Sequence, residues 1–460
     1  MIPIDGQPVL TVARMRAAEE RAVAAGTSLA TLMQRAGEGV AEATRRLAAG
    51  AEVLILCGPG NNGGDGWVAA ATLAANGHPV RVAALSEPKA NLARAARARW
   101  TGPVEAFAEA EPAPVCVDAL FGIGVTRPLD ADTLHPLTRL IRAAQLSIAV
   151  DLPSGLASDT GELLGEVAGA DLTLALGALK PAHLLQPAAR WCGDIRLLDI
   201  GMGAVESNVV VLSAPRLSPP TAQDHKFTRG MVAIVGGRMP GAAALAATAA
   251  ARIAGYVLLL GSATDRLPHA IVRRRWSPDA LVDERIGAVL IGPGLGRDDT
   301  ARDKLAVALA SDRPLVIDGD ALHLLDPARL RARTAPTILT PHAGEFAAMF
   351  GSGPGSKIDR AAAAAQATGA IIVFKGADTV VAHPAGHARV ACRSLPWLAT
   401  AGTGDVLAGV VGALLARGAA PFTATTTGVW LHGEAARLAG PAFIADDLAA
   451  SLAAAIRTHT

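Results

Sequence analysis

The sequence predicts an α/β protein with two domains, each built on a mostly parallel β-sheet. Its 460 residues exceed one ordinary domain, since about 150 residues per domain is usual. Short apolar runs alternate with helix-like stretches, and runs that are apolar on both faces are typical of parallel strands covered by helices on each side. A proline-rich polar segment, residues 213–230, interrupts this alternation. The predicted domains are therefore residues 1–213 and 214–460.

The first half begins with two helical patterns, in TVARMRAAEERAVAAG and SLATLMQRAGEGVAEATRRLAAG. Six strand-like runs follow, each separated from the next by a helix-like stretch or a loop. They are EVLILCG, PVRVAAL, PVCVDALFG, LSIAVDLPSG, ADLTLALG and DIRLLDIG.

The second half repeats this alternation and ends in a glycine turn that leads into an apolar helix, ATAGTGDVLAGVVGALLARG. Its strand-like runs are GMVAIVGG, YVLLLG, AVLIGPGLG, RPLVIDGDAL, TILTPHAGEF and AIIVFKGADTVVAHP. No short tandem repeat interrupts either half.

Composition excludes several classes of protein. The net charge of +1, with acids and bases interspersed, gives no electrostatic reason to expect nucleic-acid binding. The most apolar stretch, residues 242–260, contains Arg252 and Gly255, so we interpret it as a packed helix followed by a strand and expect no membrane association. The beginning of the chain lacks a basic segment followed by an apolar core, so no secretory signal is predicted.

The cysteines are scattered along the chain. Buried thiols in a reducing cytoplasm are a better expectation for them than disulfides or a metal site. The four are Cys57, Cys116, Cys192 and Cys392.

The stretch LCGPGNNGGDGWVAAATLA, residues 56–74, places five glycines between a strand-like run and a helix-like run. Ligands of open α/β sheets bind at such strand ends. Glycine permits close approach of the backbone and a positive φ, and the start of a helix offers N–H groups to phosphate. Asn61, Asn62 and Asp65 add side-chain oxygens. The alternative is a tight turn capped by Asx side chains.

Two further strand ends in this half carry oxygen-bearing side chains, in VDALFGIGVTRP and AVDLPSG. Asp118, Asp151 and Ser154 are expected at the same edge of the sheet as the first turn. Carboxylate, amide and hydroxyl oxygens together suit a hard cation. Each aspartate alone is more often a helix cap or turn residue, but three such strand ends favour a shared site.

These motifs, together with LMQRAG near residue 35, resemble the N-terminal domain of bifunctional NAD(P)H-hydrate repair enzymes. The resemblance extends from about residue 10 to the segment at 213–230. It implies a Rossmann-like three-layer domain that interconverts the R and S forms of hydrated NADH and NADPH (NADHX and NADPHX). It also implies a potassium ion held by Asn62, Asp118 and Ser154, and proton transfer by Asp151. The implied substrate contacts are Asn61, Asn62, Gly63, Gly64, Asp65, Gly122, Ile123, Gly124, Val125, Thr126, Arg127, Pro128 and Asp151.

In the second half, AGTGD places Asp405 in the first turn of a helix. The N–H groups from Ala401 to Gly404 can stabilise negative charge on a phosphoryl group in transfer, and Asp405 can accept a proton from an attacking hydroxyl. The alternative is that Asp405 only interacts favourably with the helix dipole. That alternative leaves the glycines unexplained.

Three other strand ends of this half carry candidate ligand groups. GPGLG, residues 292–296, brings backbone close to phosphate or sugar. His342 in TPHAGEF is a candidate contact, although a lone histidine is more often structural or solvated. Lys375 in VFKGADTVV is positioned to pair with phosphate, or it is a surface lysine before a hairpin turn.

These four turns resemble the ribokinase-like C-terminal domain of the same enzymes, from residue 225 nearly to the end. The resemblance implies dehydration of the S hydrate: ADP, with magnesium, phosphorylates the C6 hydroxyl, and loss of phosphate restores the double bond and leaves AMP. Asp405 is the implied base. The implied substrate contacts are Ala242, Gly296, His342 and Asp405. Ala242 fits the family pattern less well than the others, because the residues RMP interrupt the loop that precedes it. The implied nucleotide contacts are Lys375, Gly376, Ala377, Asp378, Thr379 and Gly404.

Two other functions remain open at this point. The ribokinase-like fold also phosphorylates vitamin precursors, although such kinases do not usually carry the first half. The first half is alternatively a non-catalytic binding module, against which the intact NNGGD and DLPSG motifs argue. No residue decides between ADP and ATP. We further expect a cytoplasmic homo-oligomer.

Overall fold

The computed structural model describes residues 1–261, 267–391 and 395–459. Cys392, for which a buried thiol was predicted, lies outside the described residues. The chain divides into two compact units, Met1–Val211 and Leu212–Thr460. Among the described residues, none of the helices combines the length and apolarity needed to cross a bilayer.

The first unit contains one parallel sheet with helices on both faces. Its helices are α1 (Val12–Ala24), α2 (Leu29–Ala48), α3 (Asn61–Ala75), α4 (Asn91–Arg97) and α5 (Ala131–Ala143). Its strands are β1 (Val53–Cys57), β2 (Val80–Ala84), β3 (Glu105–Ala106), β4 (Val115–Ala119), β5 (Leu146–Val150), β6 (Leu172–Leu176), β7 (Asp194–Leu198) and the short β8 (Val209–Val211). The sheet order is β3-β2-β1-β4-β5-β6-β7, and all of its pairings are parallel.

The second unit has a larger sheet of the same kind. Its helices are α6 (Pro240–Ala250), α7 (Asp299–Ala310), α8 (Asp320–Leu324), α9 (Ala343–Phe350), α10 (Lys357–Thr368), α11 (Thr403–Ala416), α12 (Pro421–Ala439) and α13 (Ala445–Arg457). Its strands are β9 (Met231–Val235), β10 (Tyr256–Leu260), β11 (Val272–Arg274), β12 (Ile286–Ile291), β13 (Leu315–Ile317), β14 (Thr337–Leu339), β15 (Ile371–Phe374), β16 (Val380–Ala382) and β17 (Ala388–Val390). They are ordered β11-β10-β9-β12-β13-β14-β15-β16-β17, parallel up to β15 and antiparallel from there.

The predicted strands form because their side chains are apolar on both faces of the sheet. Every residue of β1, β4 and β9 is buried, as expected for parallel strands covered on both sides. The stretch at 242–260 is a helix and a strand, α6 and β10, as predicted. Gly409 lets α11 pack closely on α6, because a Cβ at this position would lie 2.2 Å from the Ala246 carbonyl oxygen.

The order of strands reverses between β1 and β4 in the first unit, and between β9 and β12 in the second. Such switch points leave a crevice beyond the carboxyl ends of the two strands, where open α/β sheets bind their ligands. The predicted glycine-rich segments follow β1, β4 and β12, so the fold places them at these crevices.

Candidate active sites

A cleft of about 480 Å³ lies at the switch point of the first unit. Of the substrate contacts that the sequence predicted, its lining includes Asn61, Asn62, Asp65, Gly122, Ile123, Gly124, Val125 and Asp151. Thr126, Arg127 and Pro128 are exposed on the same loop outside this lining, and Gly63 and Gly64 are buried in α3. Asp118 and Ser154 lie buried next to the loop that follows β4.

The glycines after β1 act differently from the sequence interpretation. Helix α3 begins at Asn61, so NNGGD is its first turn rather than a turn before it, and none of the five glycines has a positive φ. They permit close packing: a Cβ on Gly63 would lie 1.9 Å from the Gly58 carbonyl oxygen, and one on Gly66 would lie 2.7 Å from the Ala119 Cβ. The expectation of positive φ at this turn was therefore wrong. The close approach found here is between parts of the protein, and close approach of this backbone to a ligand stays a prediction.

Asp151 is held from three directions at the end of β5. Its Oδ1 accepts hydrogen bonds from the Lys180 Nζ at 2.5 Å and from the Leu176 N–H at 3.1 Å. Its carbonyl oxygen lies 2.6 Å from the His183 Nε2. Asp151 has a φ of 65°, a left-handed conformation that costs about 1–3 kcal/mol in a residue other than glycine. These contacts fix the carboxylate at the cleft wall.

Lys180 and His183 form the buried side of this arrangement. Lys180 is fully buried, and its Nζ also donates to the Leu176 carbonyl oxygen at 2.9 Å. The Lys180 N–H donates to the His183 Nδ1 at 2.9 Å, so the proton of the neutral ring is on Nε2, facing Asp151. Burial lowers the pKa of His183 to about 4, which keeps the ring neutral. Lys180 is therefore the cation that neutralises Asp151.

Two more carboxyl groups line the cleft, on Asp65 and Glu19. Burial raises the pKa of Asp65 well above its usual value, and the charges of Asp151 and Glu19 raise it further. Burial also raises the pKa of Glu19, an effect that Lys180 opposes. Lys180 and Arg16 line the cleft beside the three carboxyl groups of Glu19, Asp65 and Asp151, so carboxyl groups outnumber cations in this lining.

Asp118 and Ser154 form a buried pair of oxygen-bearing side chains. The Asp118 carboxylate accepts hydrogen bonds from the Ser154 Oγ at 2.8 Å, the Ser154 N–H at 2.9 Å and the Leu120 N–H at 3.0 Å. No basic side chain among residues 1–261 forms an ion pair with Asp118, and burial raises its pKa. The Asn62 amide lies against Gly122, and its buried Nδ2 has no hydrogen-bond partner among the described residues. These groups fit a cation that prefers oxygen ligands.

In the second unit, the glycines of residues 292–296 provide the left-handed conformations that this loop requires. Gly292, Gly294 and Gly296 have φ values of 126°, 60° and 85°. The loop packs against the one after β9, since the Met239 N–H donates to the Gly294 carbonyl oxygen at 2.9 Å. Ala242 lies in the first turns of α6, directly after that loop.

Asp405 lies in the first turn of α11, as predicted, and follows a left-handed Gly402. Burial raises the pKa of Asp405 to about 7, and the neighbouring charge of Asp318 contributes while Lys375 opposes the shift. Asp405 is therefore a carboxyl group that titrates near neutral pH, as a general base requires.

Lys375 lies at the end of β15 and is mostly buried, so it is not a surface lysine. Its Nζ contacts the Asp318 Oδ1 at 2.8 Å, and the same oxygen accepts a hydrogen bond from the Thr340 Oγ1 at 2.7 Å. Burial alone lowers the pKa of Lys375, but the charge and hydrogen bond of Asp318 raise it overall. A Cβ on Gly404 would lie 3.4 Å from this ammonium, which places Lys375 at the start of α11.

The segment from Lys375 to Thr379 folds as a compact turn. The Gly376 N–H donates to the Thr379 Oγ1 at 3.2 Å, and that hydroxyl donates to the Gly376 carbonyl oxygen at 2.8 Å. Lys357 of α10 contacts the Asp378 Oδ1 at 2.5 Å and donates to the Lys375 carbonyl oxygen at 3.2 Å. Ala377, between these anchors, is exposed.

His342 is the N-cap of α9. Its Nδ1 accepts a hydrogen bond from the Glu345 N–H at 3.1 Å, and the Glu345 carboxylate accepts one from the His342 N–H at 2.8 Å. This reciprocal arrangement stabilises the start of the helix. The ring is largely exposed, and its Nε2 lies 3.5 Å from the Glu345 Oε1.

Sequence reasoning missed four charged residues at these two sites. Glu19 was part of a helical pattern, and Lys180 followed the strand-like run ADLTLALG without a glycine motif of its own. Asp318 lies in VIDGDAL and Lys357 in KIDRAA, neither of which was assigned a role. The available signal was a charged residue within or directly after a buried apolar run, where charge is rare unless it is paired.

Comparison with known proteins identifies both halves. Residues 29–182 match the family described as the YjeF-related protein N-terminus, and residues 232–458 match the family described as NAD(P)H-hydrate dehydratase. The bifunctional NAD(P)H-hydrate repair enzyme of Mycobacterium tuberculosis is 37% identical over 84% of this chain and 85% of its own length. Its counterpart in Gloeobacter violaceus is also 37% identical, over 92% of both chains.

Among solved structures, the ADP/ATP-dependent NAD(P)H-hydrate dehydratase from Bacillus subtilis, co-crystallised with ATP and Mg²⁺, is 28% identical. It covers 53% of this chain and 95% of its own length, with a TM-score of 0.48. The predicted fold class, a Rossmann-like three-layer domain followed by a ribokinase-like α/β domain, is confirmed. The extent and identity of the full-length matches show that the chain belongs to the family of bifunctional NAD(P)H-hydrate repair enzymes.

Proposed function

We propose that residues 1–213 epimerise the R and S forms of NADHX and NADPHX, and that residues 214–460 dehydrate the S form with ADP. The observation that supports this most strongly is the pair of aspartates, each with a lysine nearby that follows a strand of the parallel sheet. Asp151 is paired with the buried Lys180, and Asp405 lies in the first turn of α11 near Lys375. Each crevice thus offers a carboxyl group for proton transfer.

In the first crevice, the residues predicted from sequence surround the hydrated ring and its nucleotide. We assign contacts to Asn61 through Asp65, to Gly122 through Pro128 and to Asp151. Asp151 orients the C6 hydroxyl, because Lys180 and the Leu176 N–H hold its carboxylate at the cleft wall. Closing the cleft around the ring excludes bulk water and strengthens these interactions.

Potassium fits the oxygen donors beside this cleft. Asn62, Asp118 and Ser154 would hold it, and Asp118 brings a buried negative charge without a basic partner among the described residues. Amide oxygen and nitrogen are assigned rather than observed, so reversing the Asn62 amide replaces its unsatisfied buried donor with an acceptor. When bound, the ion supplies positive charge next to the loop that contacts the nucleotide.

In the second crevice, Asp405 takes the proton of the C6 hydroxyl as that oxygen attacks the terminal phosphoryl group of ADP. AMP leaves, and phosphate then departs with a proton from the neighbouring carbon, which restores the double bond. We assign Ala242, Gly296, His342 and Asp405 to the substrate. The segment Lys375, Gly376, Ala377, Asp378 and Thr379, together with Gly404, is assigned to the nucleotide. Its anchoring by Lys357 supports this, because the backbone is held in one conformation.

Magnesium would accompany the nucleotide. This ion prefers phosphate oxygens and one or two carboxylates. Asp320, whose charge acts on Asp405, would supply a carboxylate at this end of the sheet. When bound, the ion neutralises charge on the phosphoryl group.

We place the enzyme in the cytoplasm, which the three buried thiols Cys57, Cys116 and Cys192 support, since none of them forms a disulfide. The homo-oligomer stays a prediction, which light scattering of the purified chain tests.

The function is tested by giving the purified chain separated R and S hydrates of NADH, with ADP, with ATP or without nucleotide. We expect reduced-nicotinamide absorbance to return with ADP from the S hydrate directly, and from the R hydrate after epimerisation. Without nucleotide, the two hydrates should equilibrate with no gain in absorbance. Failure of recovery with both nucleotides overturns the dehydratase proposal, and isomers that stay separate overturn the epimerase proposal. Recovery with ATP alone overturns the choice of ADP.

A further inference from the structure

Glu19 lies on the inward face of α1, where a carboxylate is unusual. Met15, Ala18 and Ala22 are the buried residues of that helix. Glu19 comes four residues after Met15 and three before Ala22, so it shares their face. The neighbouring Glu20 is exposed on the other side. Carboxylates on the packed face of a helix are rare unless they are paired or functional.

Glu19 also lines the cleft together with Asp65, Asp151 and Lys180. The Glu19 carboxyl group forms neither a hydrogen bond nor an ion pair with residues 1–261. A helix cap, a turn or a helix–helix contact therefore does not account for a carboxyl group at this position. Lys180, the nearby cation, is already bound to Asp151 at 2.5 Å. Helix α1 precedes residues 29–182, the part that matches the N-terminal family, so this carboxyl comes from outside the matched region.

We propose that Glu19 is a second catalytic residue of the epimerase, which donates and recovers the proton at the C6 oxygen of the hydrate while Asp151 stays paired with Lys180. This inference rests on the proposed epimerase function. It divides the work between two carboxyl groups: Asp151 is bound by Lys180, whereas Glu19 has no ion-pair partner among the described residues and is half-buried at the cleft wall.

The step balances with water as the only exchanged molecule. The Glu19 carboxyl gives its proton to the C6 hydroxyl, the C6–O bond breaks, and its electron pair leaves with water. The ring nitrogen lone pair forms the N1=C6 double bond of an iminium ion, which the Asp151 carboxylate stabilises. Water then adds to the opposite face of C6, the N1=C6 pair returns to nitrogen, and the proton lost by that water restores the Glu19 carboxyl, directly or through solvent.

The surroundings of Glu19 favour the protonated form of its carboxyl group more than bulk water does. Burial raises its pKa, and the charge of Asp151 adds to the effect. Lys180 is the main opposing group, Arg16 opposes weakly, and Glu20 raises the pKa slightly. Asp65 completes the set, since its own carboxyl interacts with Glu19. A carboxyl with a raised pKa is suited to general acid catalysis.

The test compares Glu19→Gln with its neighbour Glu20→Gln in the full chain. Glutamine keeps the shape and hydrogen-bonding capacity of Glu19 but cannot exchange the proton. We expect kcat for R-to-S conversion to fall about 10²–10⁴-fold in E19Q with KM within a few-fold of wild type, and no change in E20Q. ADP-dependent dehydration of the S hydrate should stay at the wild-type rate in both variants, which verifies that the chain is folded.

Wild-type kcat in E19Q overturns the proposal. A rise in KM alone also overturns it, because Glu19 would then only bind substrate. If wild-type protein itself leaves the isomers separate, the proposed epimerase function fails instead, so the two failures are distinguishable. Should E19Q lose dehydratase activity too, Glu19→Asp decides: the shorter acid keeps the proton, and it must retain more epimerase activity than E19Q.

Discussion

The two crevices use the same pair of residue types in opposite ways. In the first unit, the lysine binds the candidate catalytic aspartate itself, with Lys180 Nζ and Asp151 Oδ1 2.5 Å apart and both side chains buried. In the second unit, Lys375 binds Asp318 at 2.8 Å instead and leaves Asp405 without an ion pair among the described residues. The first aspartate is thereby paired with a cation, and the second has a pKa raised to about 7.

This difference teaches that the position of one ammonium group decides which role a buried aspartate has. An aspartate bound by lysine stabilises positive charge and orients the ring, but it exchanges protons reluctantly. An aspartate near a lysine whose charge is already neutralised keeps a raised pKa and can act as a base near neutral pH. The predictions below test this contrast.

The largest effect is expected from Asp405→Asn. Asparagine keeps the shape but cannot accept the hydroxyl proton, so ADP-dependent dehydration should fall about 10²–10⁴-fold. The rate of absorbance recovery from the S hydrate measures it. Epimerisation by the same sample is the control and should be unchanged. A variant that keeps a tenth of the wild-type dehydration rate would show that Asp405 is not the base.

Lys180→Met should act next most strongly, and only on the first unit. It leaves the Asp151 carboxylate buried without its cation, which costs about 3–5 kcal/mol in free energy of unfolding. Epimerisation at pH 7 should fall about 100-fold, because the Asp151 carboxylate loses the ammonium group that holds it at the cleft wall. The rate of R-to-S conversion measures this loss, and dehydration of the S hydrate by the same sample should be unchanged.

The double variant Lys180→Met/Asp151→Asn is the matched control. Removing both charges should restore most of the thermal stability without restoring epimerisation. If the double variant regains activity, Asp151 is not needed. If Lys180→Met alone epimerises normally, the ion pair does not hold the reactive group.

Much of the fold could be predicted because the residues of each buried strand indicate its burial by themselves. Runs such as VLILC and MVAIV are apolar at every position, so each indicates a covered strand without reference to the rest of the chain. The candidate loops followed from the same reasoning, since they come directly after such strands. The expected positive φ at NNGGD was wrong because glycine composition does not tell a turn from a tightly packed helix start.

The missed residues depend on contacts between distant parts of the chain. Lys180 meets Asp151 across 29 positions, and Lys375 meets Asp318 across 57. A single sequence gives the residue types but not these pairings, so it could not show which lysine neutralises which aspartate. Glu19 was hidden for a related reason: only the packing of α1 on the cleft distinguishes it from the exposed Glu20.

Asp318→Asn tests the difference between the two aspartates through the pH dependence of dehydration. In wild type, dehydration should rise with pH up to about 7 and level off above it, because Asp405 must be deprotonated to act as a base. Removing the Asp318 charge takes away a group that raises the pKa of Asp405 and leaves the opposing charge of Lys375 unneutralised. Both effects lower that pKa, so the acid limb of kcat/KM should move about one pH unit lower. A limb that stays in place or moves upward contradicts the assignment.

The smallest effect concerns the cation beside the first crevice. Asp118 is a buried carboxylate that, unlike Asp151, forms no ion pair with a lysine or arginine among the described residues. If potassium neutralises Asp118, replacing tetramethylammonium with potassium at equal ionic strength should raise the melting temperature of the first unit. The expected rise is about 2–4 °C, which corresponds to about 1 kcal/mol of binding free energy. Asp118→Asn, which keeps the shape and removes the charge, should melt at one temperature in both salts. If potassium raises the melting temperature of the variant equally, the ion binds elsewhere. If potassium changes the melting temperature of neither protein, Asp118 holds no cation and the first crevice works without a metal ion.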